Sequence, residues 1–328
     1  MKAALIHQFG GPEVIAMGES PEPQPRPDDL LIEVRAAGLN PVDTKIRTNG
    51  LGRPRPFPFI PGYDVSGVVR SVGANVKQFR IGDEVYASPS LIRNGANAEL
   101  VCVDGRTAAL KPQTLTHVQA AALPLVALTA WESLHTRSKI HTGETVLIHA
   151  GAGGVGHIAV QLAKLHDCRV ITTASRTESI DMCKQLGADV IIDYAQEDFV
   201  ERVNEETDGK GCAMVLDGVG GKVFDRSLDC VAVNGRLVSI VYTPSDRIVQ
   251  ALFRKNVTVH FEFMGVPTIH GINPEIQGEI LRTVAELVDA GKLNVHIHQT
   301  YPLEELADAH TCQQTQHVRG KVVIAIKS

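Results

Sequence analysis

The sequence predicts an α/β protein that combines a doubly wound parallel sheet with a second, barrel-like domain of mostly β structure. Residues 1–110 consist of short strand-like segments separated by Pro and Gly, whereas strands and helices alternate after about residue 117. A length of 328 residues is also sufficient for two domains. We expect the β domain to comprise residues 1–118, completed by 265–328, and the α/β domain to comprise residues 119–264.

Residues 1–110 of the predicted β domain are expected to be all-β and barrel-like. Leu30–Ala36 alternates apolar and polar side chains, and Asp64–Val72 and Glu84–Ala87 have a similar composition. A proline-rich connector covers Pro21–Pro27, and turns are predicted at Gly and Asn positions, namely Gly10–Gly11, Asn49–Gly50 and Gly82–Asp83.

The α/β region begins with an apolar helical stretch, and six predicted strands then alternate with helices. The stretch covers Val118–Leu128 and Ala130–Leu134. The strands are Val146–His149, Val170–Thr173, Val190–Ile192, Met214–Leu216, Arg236–Ile240 and Val257–Phe261. The helices are Gly156–His166, Thr177–Leu186, Asp198–Glu206, Gly221–Leu228 and Arg247–Phe253. A helix over Pro274–Ala290 leads to two strands that we expect to return to the first domain, Val295–Gln299 and Lys321–Ile326, around the helix Leu303–Thr311.

A glycine pattern follows the first of these strands. Gly151 permits a tight turn, Gly153 lets a pyrophosphate approach the backbone, and Gly156 lets the next helix pack closely on the strand. The helix amino terminus offers free N–H groups and the positive end of its dipole to phosphates. A glycine turn without a ligand is the alternative, but the strand, turn and helix order favours a dinucleotide site.

The end of the second strand indicates which dinucleotide is bound. An NAD site places an acidic residue about 20 residues after the first glycine, but this chain has Ser175 and Arg176 there and no carboxylate before Glu178. A hydroxyl and a guanidinium are suited to a 2′-phosphate. We therefore expect NADP(H), with a solvated loop arginine as the alternative interpretation of Arg176.

Composition restricts the function classes. The net charge of −5 provides no broad attraction to nucleic acid or anionic membranes. One small basic cluster, which is more typical of a solvated face than of a binding patch, consists of Lys45, Arg47, Arg53 and Arg55. Six scattered cysteines without a Cys-x-x-Cys pair, and no signal peptide or apolar run long enough to span a membrane, predict a cytoplasmic protein.

Four motifs in order carry a resemblance to a known family: Gly38–Asp43, Pro61–Gly67, Gly82–Tyr86 and the turn Ala150–Gly156. Together they resemble the medium-chain dehydrogenase/reductase superfamily, and the most similar branch is that of the zinc-independent quinone oxidoreductases and alkenal/enone oxidoreductases. The resemblance covers nearly the whole chain. It implies a six-stranded Rossmann domain and a GroES-like catalytic domain.

The resemblance also addresses metal binding. Zinc-dependent relatives have Cys and His where this chain has Asn40 and Tyr63, and a carboxamide and a phenol are poor zinc ligands. His296 and His298 share one strand face but have no third ligand nearby in the sequence. We therefore expect no metal site.

The resemblance implies a set of site residues. Asn40, Lys45 and Tyr63 would be the hydrogen-bond donors that flank the substrate cleft, although Lys45 replaces a Tyr frequent in quinone oxidoreductases. The cofactor would be bound by residues of the glycine turn and of the strand ends: Thr129, Gly151, Gly153, Gly154, Val155, Gly156, Ser175, Arg176, Tyr194, Gly218, Val219, Phe263 and Met264, with Lys321 as a weaker candidate.

These features predict an NADPH-dependent, zinc-independent enzyme that reduces quinones or α,β-unsaturated carbonyl compounds, because a conjugated electrophile accepts hydride without a metal. The alternatives are a zinc-type alcohol dehydrogenase and a low-turnover NADPH-binding protein with a structural, crystallin-like or RNA-binding role. The resemblance further implies a homodimer through the sixth strand, Val257–Phe261, whose β-branched composition suits an edge. The physiological substrate stays open.

Overall fold

The computed structural model describes residues 1–327, which form two compact units. The first unit consists of Met1–Leu128 together with the chain from Gly265 onward, and the second is Thr129–Met264. The first unit thus extends to Leu128 rather than to the expected residue 118. The physical reason is that Ala121 and Ala122 are buried against Ala36 and Val323 of the first unit's sheet.

The chain contains fifteen strands and eleven α-helices among its described residues. The strands are β1 Lys2–Ile6, β2 Ile15–Glu19, β3 Asp29–Leu39, β4 Val65–Val72, β5 Glu84–Ala87, β6 Leu100–Asp104, β7 Ala109–Leu110, β8 Thr145–Ile148, β9 Arg169–Ala174, β10 Val190–Asp193, β11 Cys212–Asp217, β12 Val231–Ser239, β13 Thr258–Phe261, β14 Ile297–Pro302 and β15 Lys321–Ala325. The helices are α1 Pro41–Asn49, α2 His117–Ala121, α3 Pro124–Trp131, α4 Gly154–Leu165, α5 Thr177–Gln185, α6 Phe199–Glu206, α7 Lys222–Cys230, α8 Ile248–Lys255, α9 Val266–His270, α10 Glu275–Asp289 and α11 Leu306–Thr315. A π-helical segment, Glu132–Arg137, continues α3.

The second unit is a parallel sheet in the order β10-β9-β8-β11-β12-β13. This order reverses direction at β8, as in doubly wound dinucleotide-binding folds. Its strands are apolar because helices cover them: Leu147, Ile171 and Leu237 of the sheet share one core with Phe199 of α6 and Phe224 of α7. The predicted fold class is confirmed, and the six predicted strands lie within a few residues of those observed.

The first unit is built on a seven-stranded sheet in the order β14-β15-β3-β4-β5-β7, with β6 also paired to β3. The pair β14 and β15 does return to this unit, as the sequence predicts, because β15 pairs antiparallel with β3. Register partners such as Val322 and Leu39 join the end of the chain to the segment that precedes Asn40. The carboxyl-terminal strands therefore position residues next to the end of β3.

The all-β prediction for the first 110 residues is wrong at one place, since α1 occupies Pro41–Asn49. Asn40 precedes the helix in an extended conformation, Pro41 occupies its first position, and Asp43 accepts a hydrogen bond from the Asn40 amide. The helix ends at Gly50, which has a φ of 67°. The turn predicted at Asn49–Gly50 is therefore the end of a helix and does not join two strands. Within residues 1–327, no helix is both long and apolar enough to cross a membrane.

Candidate active site

The glycine turn of the second unit joins β8 to α4. A Cβ atom added at Gly151 would lie 2.1 Å from the Thr172 hydroxyl oxygen, and one at Gly156 would lie 2.1 Å from the Ala150 carbonyl oxygen. Both positions therefore require glycine for packing. Gly153 differs, because its added Cβ would be 3.1 Å from the Ala150 oxygen and would meet no other residue closely. Close packing within the chain does not explain the glycine at position 153.

The amino terminus of α4 forms an anion-binding geometry. Gly153 is its N-cap in an extended conformation, with no side chain to accept the first amides. The first backbone N–H groups of a helix have no acceptor within the helix, and His157 is the first residue here whose amide bonds back to Gly153. The amides of Gly154, Val155 and Gly156 are thus available to an oxyanion.

The ends of two neighbouring strands bring together a hydroxyl, a guanidinium and a phenol. Ser175 and Arg176 follow β9, and Tyr194 follows β10, whose last residue pairs with Ala174. The Tyr194 amide also donates to the Ala174 carbonyl at 3.3 Å. Arg176 is exposed and forms no ion pair with any residue in the range 1–327. The structure therefore places these three predicted residues side by side, with an unpaired cation among them.

Other predicted cofactor residues follow the remaining strands. Gly218 and Val219 follow β11, where the buried Asp217 carboxylate accepts the amides of Val219 and Gly220 at 3.0 and 2.9 Å. Phe263 and Met264 follow β13; Phe263 is 42% exposed, whereas Met264 is buried. Thr129 is buried in α3. The carboxyl ends of parallel strands, where ligands bind in this architecture, thus carry most of the predicted set.

His149, which precedes the glycine turn, is a core residue. Its ring nitrogens lie 3.3 Å from the Thr173 hydroxyl and 2.9 Å from the Ser227 hydroxyl. Burial lowers the pKa of His149 to about 4, although Asp217 opposes that shift. The ring is therefore neutral at physiological pH and links strand β9 to helix α7.

In the first unit, a buried polar network surrounds Asn40. The Asn40 carboxamide nitrogen donates to Asp64 Oδ2 at 2.8 Å. The Lys321 ammonium donates both to the Asn40 carboxamide oxygen and, at 3.0 Å, to the same Asp64 oxygen. Asp64 Oδ1 accepts the Leu125 amide at 2.6 Å. These contacts fix the orientation of the Asn40 amide.

A second carboxylate, Asp43, supports the same network from α1. Its two oxygens accept the amides of Asn40 at 2.8 Å and Gly62 at 3.0 Å, which joins the two loops that carry Asn40 and Tyr63. Burial raises the pKa of Asp43 to about 7, and it also raises the pKa of Asp64, although Lys321 and Asn40 oppose the shift at Asp64. The network therefore holds two acids and one ammonium away from water.

The structure places Lys321, the weaker candidate for a cofactor contact, in this buried network. Its side chain is 3% exposed, and its amine is engaged by Asn40 and Asp64. Two of the three N–H donors of this ammonium are used by Asn40 and Asp64. Its position instead makes it a positioning residue for Asn40.

Tyr63 and Lys45 lie in contrasting environments. Tyr63 is fully buried, and its hydroxyl makes no hydrogen bond of normal geometry among residues 1–327, although the Arg55 side chain interacts with it. The Arg55 guanidinium lies 6.0 Å from the centroid of the Tyr63 ring. Burial also raises the pKa of Tyr63, so the phenol is protonated and can donate. Lys45, by contrast, is exposed on α1 and does not join the Asn40 network.

Asp43 and Asp64 were not predicted as site residues, and neither was the contact between Asp64 and Lys321. A signal was present, since each acid lies within a motif, Gly38–Asp43 or Pro61–Gly67, that also contains a predicted donor. Buried acids are found almost exclusively with partners. A search for carboxylates within those motifs would have identified both.

The residues around Asn40 do not fit a zinc ion. Its carboxamide oxygen already accepts from the Lys321 ammonium, which would repel a dication, and the Tyr63 phenol is protonated. No group of three or more His, Cys, Asp or Glu side chains within the described part of the chain is arranged to hold a metal ion, and this includes the region of His296 and His298.

Two family models match the sequence. The model described as "Alcohol dehydrogenase GroES-like domain" matches residues 26–114, and the one described as "Zinc-binding dehydrogenase" matches residues 186–324.

Three known proteins illustrate the similarity. The chain is 32% identical to the chloroplastic NADPH-dependent alkenal/one oxidoreductase of Arabidopsis thaliana, over 99% of this chain and 79% of that protein. It is 34% identical to a quinone oxidoreductase of Pseudomonas aeruginosa, over 96% of this chain and 97% of the relative. Among solved structures, Escherichia coli quinone oxidoreductase complexed with NADPH superimposes with a TM-score of 0.90 and 30% identity, over 99% of this chain and 100% of that chain.

Proposed function

The chain is a member of the medium-chain dehydrogenase/reductase superfamily, in its quinone oxidoreductase branch, and from this premise we propose that it transfers a hydride from NADPH to quinones or α,β-unsaturated carbonyl compounds. It is an NADP-dependent oxidoreductase. One observation supports this substrate class, namely the bond between the Lys321 ammonium and Asn40. The polar group at the proposed site is oriented by a fixed ammonium and not by a metal ion. Without a metal, an electrophile whose negative charge is delocalised is the more accessible hydride acceptor.

The second unit fits NADP(H). The glycine turn and the first amides of α4 would hold the pyrophosphate, and Ser175, Arg176 and Tyr194 would hold the 2′-phosphate. The other strand-end residues would border the adenosine and the nicotinamide, namely Thr129, Gly218, Val219, Phe263 and Met264. The bound nicotinamide supplies the hydride, which the protein itself cannot provide.

The first unit would stabilise the charge that develops on the substrate. We propose Tyr63 and Lys45 as hydrogen-bond donors to the substrate oxygen, with Asn40 as a fixed polar group oriented by Lys321 and Asp64. A buried hydroxyl without a hydrogen bond of normal geometry is costly, and the Tyr63 hydroxyl, which approaches the Arg55 side chain but forms no such bond within residues 1–327, therefore supports a role toward a bound ligand. Zinc independence is part of the same proposal.

A substrate panel tests the proposed function. NADPH oxidation should be measured with small enals, cyclic enones, benzoquinones, naphthoquinones and, in the reverse direction, simple alcohols with NADP⁺. We expect turnover of at least one conjugated class, no alcohol oxidation, and full activity after treatment with a chelator. Alcohol oxidation that requires stoichiometric zinc would contradict the proposal, and so would the absence of turnover with every conjugated acceptor.

Replacing Tyr63 by Phe is expected to slow hydride transfer about 10-fold, the effect of losing one hydrogen bond in the transition state. Stability should change little, since the hydroxyl makes no hydrogen bond of normal geometry within residues 1–327. Single-turnover kinetics and thermal unfolding measure the two effects.

Tyr86→Phe is the matched control for this experiment. The Tyr86 hydroxyl is buried and donates to the Leu281 carbonyl at 2.5 Å, so its removal should lower the free energy of unfolding by about 1 kcal/mol and leave hydride transfer unchanged. An unchanged single-turnover rate in Tyr63→Phe would reduce Tyr63 to a packing residue.

Two glycines of the turn, Gly153 and Gly156, should respond differently to replacement by alanine. Gly156→Ala is expected to destabilise the second unit, because its methyl group would meet the Ala150 carbonyl. Gly153→Ala should fold but bind NADPH at least about 10-fold more weakly, because the methyl group would occupy the approach of the pyrophosphate. Thermal unfolding and NADPH titration measure these effects. Equal NADPH affinity of Gly153→Ala and the unmodified protein would contradict the pyrophosphate assignment.

We also propose a homodimer through β13. This strand is an edge of the parallel sheet, pairs with β12 alone among the strands of residues 1–327, and exposes 51% of Phe261. Light scattering should give twice the mass of one chain, and a β13 substitution such as Val259→Pro should shift the protein to the monomer. A monomer at micromolar concentration would rule out this assembly.

A cytoplasmic location is proposed as well. All six cysteines are free and buried, which is typical of proteins in reducing compartments. Cell fractionation tests this location, and recovery outside the cytoplasmic fraction would contradict it.

A further inference from the structure

A pocket of about 900 Å³ in the first unit is lined by arginines. It lies among β6, the proline-rich connector, the loop 53–60 and the loop 92–95, and none of the residues proposed for cofactor or substrate binding lines it. We call it the arginine pocket after its four arginines, Arg26, Arg53, Arg55 and Arg93. We propose that this pocket binds a small organic phosphate with an apolar or aromatic body, at a site separate from the proposed active site.

The charge of the pocket is the first argument. Arg93 is neutralised by a bidentate contact with Asp29, at 2.8 and 2.6 Å. Arg26, Arg53 and Arg55 form no ion pair with any residue in the range 1–327, and Glu22 is the one acidic side chain that lines the pocket in that range. The pocket therefore carries a surplus of positive charge, although the whole chain has a net charge of −5. Such a local reversal of sign favours an anionic ligand.

Arg53 and Arg55 belong to the basic cluster that was noted in the sequence. The structure places these two residues at the pocket and the other two members of the cluster elsewhere. Arg47 is buried and bonded to His310 and Gln314, and Lys45 lies on α1, so neither lines the pocket. Arg53 has an extended backbone, with φ −111° and ψ 139°, and Arg55 is two residues further in a stretch that alternates Arg and Pro. Both residues line the pocket, so two guanidinium groups from one short stretch are available to a single ligand.

Arg55 retains an unused donor. One of its terminal nitrogens donates to the Leu91 carbonyl, and its guanidinium lies 5.3 Å from the centroid of the Phe59 ring. Its Nε is buried and makes no hydrogen bond of normal geometry among the described residues, and the side chain also interacts with Tyr63. A guanidinium has five N–H donors, and those that the Leu91 carbonyl does not use are suited to bind phosphate oxygens in the pocket that Arg55 lines.

The apolar part of the lining indicates the rest of the ligand. Buried side chains next to the arginines include Phe59, Ile60 and Val101, and several prolines line the pocket as well. The volume lies in the range of pockets that hold compounds of drug or nucleotide size. A bare inorganic anion would leave this surface uncovered. An organic phosphate such as a nucleotide would use both parts of the lining.

Calorimetric titrations with three probes test the proposal. Saturating NADP⁺ should be present so that the proposed cofactor site is blocked, and the probes are ATP, inorganic tripolyphosphate and adenosine. We expect ATP to bind more tightly than tripolyphosphate, adenosine not to bind, and the affinity for ATP to fall as salt is raised. Absence of ATP binding would overturn the proposal. Equal affinity for ATP and tripolyphosphate would overturn the assignment of an organic ligand.

Variants locate the binding. The double variant Arg26→Ala/Arg53→Ala should weaken ATP binding at least about 10-fold, as expected for the loss of charged hydrogen bonds. Arg80→Ala is the matched control, because Arg80 is exposed in the same unit and does not line the pocket. NADPH oxidation should be unchanged in the double variant, which separates this proposal from the proposed function. ATP binding that is equal in the double variant and the unmodified protein would refute the site.

Discussion

Replacing Lys321 by Met is expected to lower the free energy of unfolding by about 3–5 kcal/mol, because it leaves a buried carboxylate without its counter-ion. Asp64 is fully buried and pairs with the Lys321 ammonium at 3.0 Å, and the pair also holds the Asn40 amide. The variant should also have a lower kcat under conditions in which it is still folded, because the Asn40 amide is no longer held in position. Chemical denaturation and steady-state kinetics measure the two effects.

Lys327→Met is the matched control for Lys321→Met. Lys327 also pairs with a carboxylate, Glu33, but its side chain is 60% exposed, and exposed ion pairs contribute about 0–1 kcal/mol. The double variant Lys321→Met/Asp64→Asn should recover part of the lost stability, since it removes the uncompensated charge. Equal destabilisation by Lys321→Met and Lys327→Met would show that the buried pair does not organise the network.

The second large effect is expected from Arg176→Ala. The apparent dissociation constant for NADPH should rise about 10- to 100-fold, which corresponds to charged hydrogen bonds of about 1.5–3 kcal/mol, while that for NADH should change little. Arg176 is suited to this role because it is exposed beside Ser175 and Tyr194 and forms no ion pair within residues 1–327.

Two further variants serve as controls for the effect of Arg176→Ala on NADPH affinity. Arg254→Ala removes an exposed arginine of α8 and should leave both affinities unchanged. Arg176→Lys should retain part of the preference for NADPH, since an ammonium attracts the phosphate but cannot bond it bidentately. If Arg176→Ala weakened NADPH and NADH to the same extent, the guanidinium would not contact the 2′-phosphate.

The second unit was predictable because its signals are local. The glycine turn, the apolar strand before it and the position of Arg176 are all separated by a few tens of residues at most. A parallel sheet then places consecutive strand ends along one edge, so Arg176 and Tyr194 become neighbours once β9 and β10 pair. Knowledge of the strand order was sufficient to place these side chains together.

The network in the first unit was not predictable in the same way. Asn40 was identified from its motif, but its contact with Lys321 joins residues 281 positions apart and depends on the pairing of β15 with β3. A single sequence contains no local pattern for that contact. Lys321 was therefore assigned to the cofactor, whereas the fold buries its amine against Asn40 and Asp64.

The helix α1 shows how one wrong local assignment changes the site. Asn40–Pro41 and Asn49–Gly50 resemble turn signals, and both are in fact the ends of a helix, where the same residue types are also favoured. In a helix, Lys45 and Asp43, two residues apart, point to different faces. The difference in direction explains why Asp43 is buried in the network while Lys45 is exposed.

The fate of a deuterium label tests the central claim most directly. NADPH that carries deuterium at the transferred position should be incubated with the enzyme and a small cyclic enone, and the product examined by NMR spectroscopy. Hydride transfer to a conjugated electrophile predicts one deuterium on the β-carbon of the saturated ketone. The same product is expected when a chelator has first removed any metal from the protein. Deuterium on the carbonyl carbon of an allylic alcohol, or transfer that stops when metal is removed, would contradict the account.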